Sequence, residues 1–186
     1  MIRAFLADCQ RRNNNTPPTW PQVVYLFLSN YGLQALLGYR LGRHLLQLKQ
    51  ENRGFLLRCI GWPMYWLLSR YARAALDIRL ELSADIGAGL FIGHFGNILV
   101  DRCKLGEHCT IAQSTRLSAD ENGAGPQIGN RVWVGGHVVV RGPIQIGDAA
   151  TVAAGAVVTR NIPGGALCMG NPARVTLMQY DNSEIL

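Results

Sequence analysis

Four histidines are the side chains best suited to moving a proton near neutral pH: His44, His94, His108 and His137. An imidazole that titrates near neutrality can act as a general base, and three such rings brought together could hold a metal ion. His44 lies in a leucine-rich stretch, where a packing or surface role is the plainer reading. His94 (within Gly-His-Phe-Gly-Asn), His108 and His137 fall in the second half of the chain, and nothing in their spacing brings them together. The five cysteines, Cys9, Cys59, Cys103, Cys109 and Cys168, are odd in number and scattered. They read as reduced thiols of a cytoplasmic protein, not as a disulfide frame. Cys103 and Cys109 stand six apart, which is not zinc-ligand spacing, and no metal is expected.

The elements that must position these groups divide the chain in two. Of 186 residues, 48% are hydrophobic and 16% charged, which excludes a disordered polyampholyte. Residues 1–79 carry eleven Arg/Lys against three Asp/Glu, a net +8, whereas residues 80–186 carry −2. The basic half should meet something anionic. No nucleic-acid motif is present, so nucleic acid is not the expected partner, and peripheral contact with an anionic membrane surface fits better. Residues 1–76 form an α-helical N-terminal region. Pro17, Pro18 and Pro21 mark entry to a helical stretch over 20–76, interrupted at 50–54. Trp62, Tyr65 and Trp66 beside Arg58, Arg70 and Arg73 suit an interfacial surface, although packing on the second half or on a partner subunit is the plainer reading. Met1 to Gln10 lacks a signal-peptide core, and the apolar block 60–68 is short and contains Pro63, so no crossing of a membrane is expected.

The second half is a repeat. Leu80, Ile86, Ile92 and Ile98 fall every sixth residue, then Leu105, Ile111 and Leu117, then Ile128, Val134, Val140, Ile146, Val152 and Val158. Six residues fit neither an amphipathic helix nor a meander. They fit short straight segments joined by sharp corners, three to a triangular coil of about 18 residues, with the aliphatics inside. Gly87, Gly93, Gly106, Gly129, Gly135 and Gly147 each follow an aliphatic and are expected to serve as corners with unusual backbone angles. The coils should span residues 77–175, with a polar loop at 118–127 (SADENGAGPQ within it) and a tail at 176–186.

The sequence resembles the hexapeptide-repeat acyltransferases, in particular the short bacterial serine O-acetyltransferase type. The likeness rests on YGLQALLGYRLGRHLL (31–46), IGAGLFIGHFGNILV (86–100), LGEHCTIAQSTRL (105–117) and IPGGALCMGNPARV (162–175). It implies a left-handed parallel β-helix behind a helical region, a homotrimer, and acetyl-CoA held as co-substrate in grooves between subunits. It implies that His94 takes the proton of an acceptor hydroxyl as that oxygen attacks the thioester. It points to Gly135, Gly136, Ala153 and Ala154 for backbone contacts to acetyl-CoA, and to Arg160 and Arg174 for its phosphates.

The sequence also departs from that pattern. The acid that the family places 15 residues before the histidine is Arg79 here, flanked by Asp77 and Glu81, of which Glu81 is preferred as belonging to the first repeat. The acid just before the histidine is Gly93, and the family's Arg-His-Pro is Ala124, Gly125 and Pro126. The N-terminal Asp-Pro is missing, with NNNTPP near its place. A buried carboxylate or ammonium without a partner is costly, so these losses argue against free serine. They favour a saccharide intermediate, as in the acetyltransferases of exopolysaccharide biosynthesis, with the serine acetyltransferase of cysteine biosynthesis as the alternative. Two further readings are a zinc protein of the γ-carbonic-anhydrase kind, using His94, His108 and His137, and an inactive scaffold.

Overall fold

A computed structural model describes residues 1–93 and 96–183, and among these four helices lead into a stack of coils. The helices are α1 (Ile2–Arg12), α2 (Trp20–Ser29), α3 (Tyr31–Gln50) and α4 (Phe55–Ala75). Thr19 caps α2 through a reciprocal bond with Gln22, and Pro21 sits in its first turn, where a missing N–H costs nothing. Gly54, at φ 63°, turns the chain from the 51–54 break into α4. α1 lies ahead of the helical stretch read from the sequence.

The strands are β1 (Ile78–Leu80), β2 (Asp85–Ile86), β3 (Phe91–Ile92), β4 (Ile98–Val100), β5 (Lys104–Leu105), β6 (Thr110–Ile111), β7 (Arg116–Ser118) and β8 (Gln127–Ile128). They continue as β9 (Trp133–Val134), β10 (Val139–Arg141), β11 (Gln145–Ile146), β12 (Thr151–Val152), β13 (Val157–Val158), β14 (Leu167–Met169) and β15 (Arg174–Leu177). They form three parallel sheets: β1-β4-β7-β10-β13, then β2-β5-β8-β11, then β3-β6-β9-β12-β14, to which β15 adds antiparallel. A bridge from Ile146 to Ile162 carries the second sheet into the last coil. This is a parallel β-helix of five coils, with one strand of each coil in each sheet.

The phased aliphatics stack in register, Ile86 on Leu105 on Ile128 on Ile146 in the second sheet. Twelve of the thirteen are buried, and Leu80 in the first coil is half-buried. A second inward column stands two residues ahead of the first. It holds Ala84, Cys103, Cys109, Val132 and Val138, with the larger Leu90 in the first coil, and these fill the coil beside the aliphatics. Buried Thr115 occupies the same column and donates its hydroxyl to the carbonyls of Ala112 and Gly135.

The glycines serve a different purpose from the one expected. Gly87, Gly106, Gly129, Gly135 and Gly147 do not have positive φ, whereas His108, Arg131 and His137 do. What Gly87 and Gly106 need is proximity. A Cβ on Gly87 would lie 2.6 Å from the Gly106 carbonyl, and one on Gly106 would lie 2.5 Å from the Gly129 oxygen. Stacked coils touch through these bare corners.

The helices close the first coil. Tyr39 donates its hydroxyl to the Ala84 carbonyl and accepts from the Ile86 amide. Arg40 donates to both oxygens of Asp8 at 3.1 Å and to the carbonyls of Ile86 and Gly87 at 2.6 Å. The Leu90 amide donates to Asp8 at 2.9 Å. Both side chains of this ion pair are buried, so α1 and α3 are bolted to the coil by charges almost wholly removed from water.

Candidate functional site

The three sheets meet in three edges. Edge I, from the third sheet to the first, carries Gly93, Gly96 and Asn97, then Gln113 and Ser114, then Gly136 and His137, then Ala154 and Gly155. His94 and Phe95 lie outside the described residues, but the chain on both sides is anchored. The Gly93 amide donates to the Ile111 carbonyl, and the Gly96 carbonyl accepts from Ser114. The Asn97 amide donates to Asp77 Oδ2 at 2.9 Å, and the Ile98 amide donates to the Asp77 carbonyl.

Asp77 is therefore the carboxylate held against the segment that contains His94. Glu81, preferred from the sequence, stands at the far end of β1 and pairs with Arg73 of α4 at 3.1 Å. The two acids lie near opposite ends of a three-residue strand, so the structure puts them at different edges.

The four backbone candidates all lie along edge I, and they divide into two kinds. The Gly135 amide is committed to the Val152 carbonyl and the Ala153 amide to the Cys168 carbonyl. Among the described residues the amides of Gly136 and Ala154 make no backbone hydrogen bond, which leaves both as donors. The Gln113 side chain packs over Gly136, 3.2 Å from where a Cβ would stand, and was not singled out from the sequence. No motif marks it; only the stacking of coils puts it there. Gly135 is fixed by the next coil, since a Cβ would lie 2.6 Å from the Ala154 nitrogen.

Arg160 and Arg174 are both exposed but separate. Arg174 opens β15 beside the last coil, where the Ala173 amide donates to the Val157 carbonyl. Arg160 follows β13 and belongs to edge II, from the first sheet to the second. His137 shares edge I with Gly136, His108 sits against Gly89 on edge III, from the second sheet to the third, and His44 is on α3. Among the described residues no three His, Cys, Asp or Glu side chains gather as a metal site would require.

Edge II carries the loop after β7. It folds on Asp120, whose Oδ1 accepts from the amides of Asn122 and Ala124 at 2.9 Å each. Gly125 presses onto the backbone of Arg102, and a Cβ there would overlap the Arg102 carbonyl oxygen. A Cβ at Gly123 would stand 3.0 Å from Arg102 Nη1. The position where the resemblance places a histidine thus has no room for a side chain, and the cations beside the loop come from neighbouring coils, Arg102 before it and Arg141, paired with Glu121 at 3.6 Å, after it. Ser83, Arg102, Lys104, Gly123 and Gln127 line an open hollow there of about 490 Å³.

Buried thiols line the coil interior. Burial pushes Cys103 up to about 12, and Cys109 and Cys168 up to about 11. They are inert fillers, not nucleophiles.

Comparison with known proteins agrees with this architecture. The model of the family described as bacterial transferase hexapeptide (six repeats) matches residues 125–160. A serine acetyltransferase of Helicobacter pylori is 33% identical over 147 residues, covering 77% of this chain and 80% of that protein. One from Mycobacterium tuberculosis is 28% identical over 181 residues, covering 94% and 73%. Among solved structures, serine acetyltransferase in complex with coenzyme A from Brucella abortus superposes with a TM-score of 0.77 at 21% identity, covering 96% of this chain and 68% of that one. Neisseria gonorrhoeae serine acetyltransferase in complex with serine gives 0.74 at 20% identity, covering 94% and 68%. The chain belongs to the serine acetyltransferase family of hexapeptide-repeat proteins and is an acyltransferase.

Proposed function

We propose that this protein transfers the acetyl group of acetyl-CoA to the hydroxyl of L-serine, at a site along edge I. The acceptor is supported by the named activity of the relatives, which favours serine over the saccharide read from the sequence. The observation that carries the site is the run of uncommitted amides at Gly136 and Ala154, in line below a segment held by Asp77. Successive N–H donors on one edge suit an extended chain of carbonyls such as pantetheine, and can polarise a thioester oxygen.

In this reading the acceptor oxygen attacks the thioester carbon while its proton passes to the imidazole of His94. The carbon–sulfur bond then breaks, and the proton moves on to the CoA sulfur. Asp77 steadies the backbone beside His94. Arg174, on the last coil, faces the phosphates of CoA. A homotrimer is part of the proposal, supported by the outward positions of the first sheet. Those run Arg79, Leu99, Arg116, Val139 and Val157, apolar at three of five positions, whereas the second sheet presents Asp85, Lys104, Gln127 and Gln145. A cytoplasmic setting is supported by five free thiols.

A second reading, transfer to a saccharide hydroxyl, is favoured by one observation: Gly125 is closed against Arg102, so the loop itself offers no ion clamp for an amino-acid carboxylate. Thiol release from acetyl-CoA, measured side by side with L-serine and with nucleotide- and lipid-linked sugars, tests both. Saturable turnover of serine supports the first reading. Turnover of sugars alone replaces it with the second, and release with neither overturns both.

A further inference from the structure

The outer surface of the helical region is apolar to a degree that its own packing does not explain. α4 turns Gly61 and Ala72 inward. Its outward flank carries Leu56, Ile60, Met64, Leu67 and Tyr71, spaced four, four, three and four residues apart, which aligns them in one stripe that ends at Tyr71, whose hydroxyl donates to Gln34 of α3. These five are 42–76% exposed, and Phe55 and Trp66 widen the stripe. On α2, Trp20, Val24 and Leu28 repeat the four-residue spacing and are equally open. Single exposed apolar residues are ordinary, but a stripe along a 21-residue helix, about 31 Å, marks a contact surface.

Charge identifies what the surface contacts. Neither α2 nor α4 contains an acidic residue, and residues 1–79 as a whole carry a net +8. Arg73 of α4 is paired with Glu81, while exposed Arg70 borders the stripe, stacked 5.4 Å from the Trp66 ring centre. A second copy of the same face would bring Arg70 against its counterpart with no acid of α2 or α4 opposite. Anionic headgroups would complement Arg70, and exposed Trp20, Tyr25 and Trp66 are side chains that settle at headgroup depth. Among the described residues no helix is long and apolar enough to cross a membrane, so contact means lying on its surface.

We propose that the exposed faces of α2 and α4 dock flat on an anionic lipid bilayer. The inference does not depend on which acceptor is acetylated. Sedimentation of the full chain tests it, using phosphatidylcholine vesicles with and without about one third phosphatidylglycerol. The protein should pellet with the anionic vesicles and not with the neutral ones, and about 1 M salt should release most of it. Arg70→Gln should weaken that binding about fivefold, the share of one arginine near the surface. Ile60→Glu with Leu67→Glu should abolish it while leaving the assembly size and the thiol-release rate as in the parent. Protein that stays in solution with anionic vesicles overturns the proposal. So does a fall in assembly size in the Ile60→Glu, Leu67→Glu variant, which would make the face a contact between copies.

Discussion

The bond most exposed to a single test is the buried pair of Asp8 and Arg40. Replacing Asp8 by alanine leaves the Arg40 guanidinium with only the carbonyls of Ile86 and Gly87, both neutral, in a place nearly closed to water. It also strips the Leu90 amide of its acceptor. Removing one member of a buried ion pair costs about 3–5 kcal/mol. For a chain of this length each kcal/mol moves the midpoint by roughly 2–4 °C, so Asp8→Ala should lower Tm by about 6–20 °C. The assay is thermal unfolding followed by circular dichroism, at one protein concentration because assembly shifts the midpoint. Asp8→Leu combined with Arg40→Met removes both charges and should recover most of the loss. An Asp8→Ala midpoint within about 2 °C of the parent would refute the reasoning, because an exposed pair contributes at most about 1 kcal/mol.

Other outcomes follow from the same geometry. Val140 is fully buried in the column, so Val140→Asp should prevent folding, read as insoluble protein or loss of the cooperative transition. At pH 8 a thiol reagent should titrate one cysteine of the native protein, exposed Cys59. Burial holds Cys9, Cys103, Cys109 and Cys168 protonated up to about 11 or 12, so raising the pH to about 10 should add none, and two or more reactive thiols at pH 8 would contradict the buried column. Asp77→Asn keeps an oxygen able to accept from the Asn97 amide but loses the charge. It should lower turnover by about tenfold without moving Tm, whereas Glu81→Gln should leave turnover unchanged.

The coil was legible because one aliphatic in six is a period no other element uses, and the stacking of Ile86, Leu105, Ile128 and Ile146 follows from it directly. The second column was not, because Ala84, Cys103 and Val132 share a position but not a residue type. The glycines could be seen but not their reason: Gly106 is bare because Gly129 lies against it, a contact between coils that the order of residues does not reveal. Asp8 and Arg40 are 32 residues apart with no periodic signal between them. The same limit applies to the site. A motif could point to His94, but choosing Asp77 over Glu81 required knowing which end of β1 meets Asn97. Likewise the closure of Gly125 depends on Arg102, in the coil before the loop.

The central claim is that acetyl transfer runs through the histidine on the anchored segment of edge I. It is tested most directly by turnover of acetyl-CoA in the parent and in His94→Ala, with CoA affinity measured on both. Turnover should fall by about 10²–10⁴ in the variant while CoA still binds. Equal turnover in the two proteins would contradict the claim.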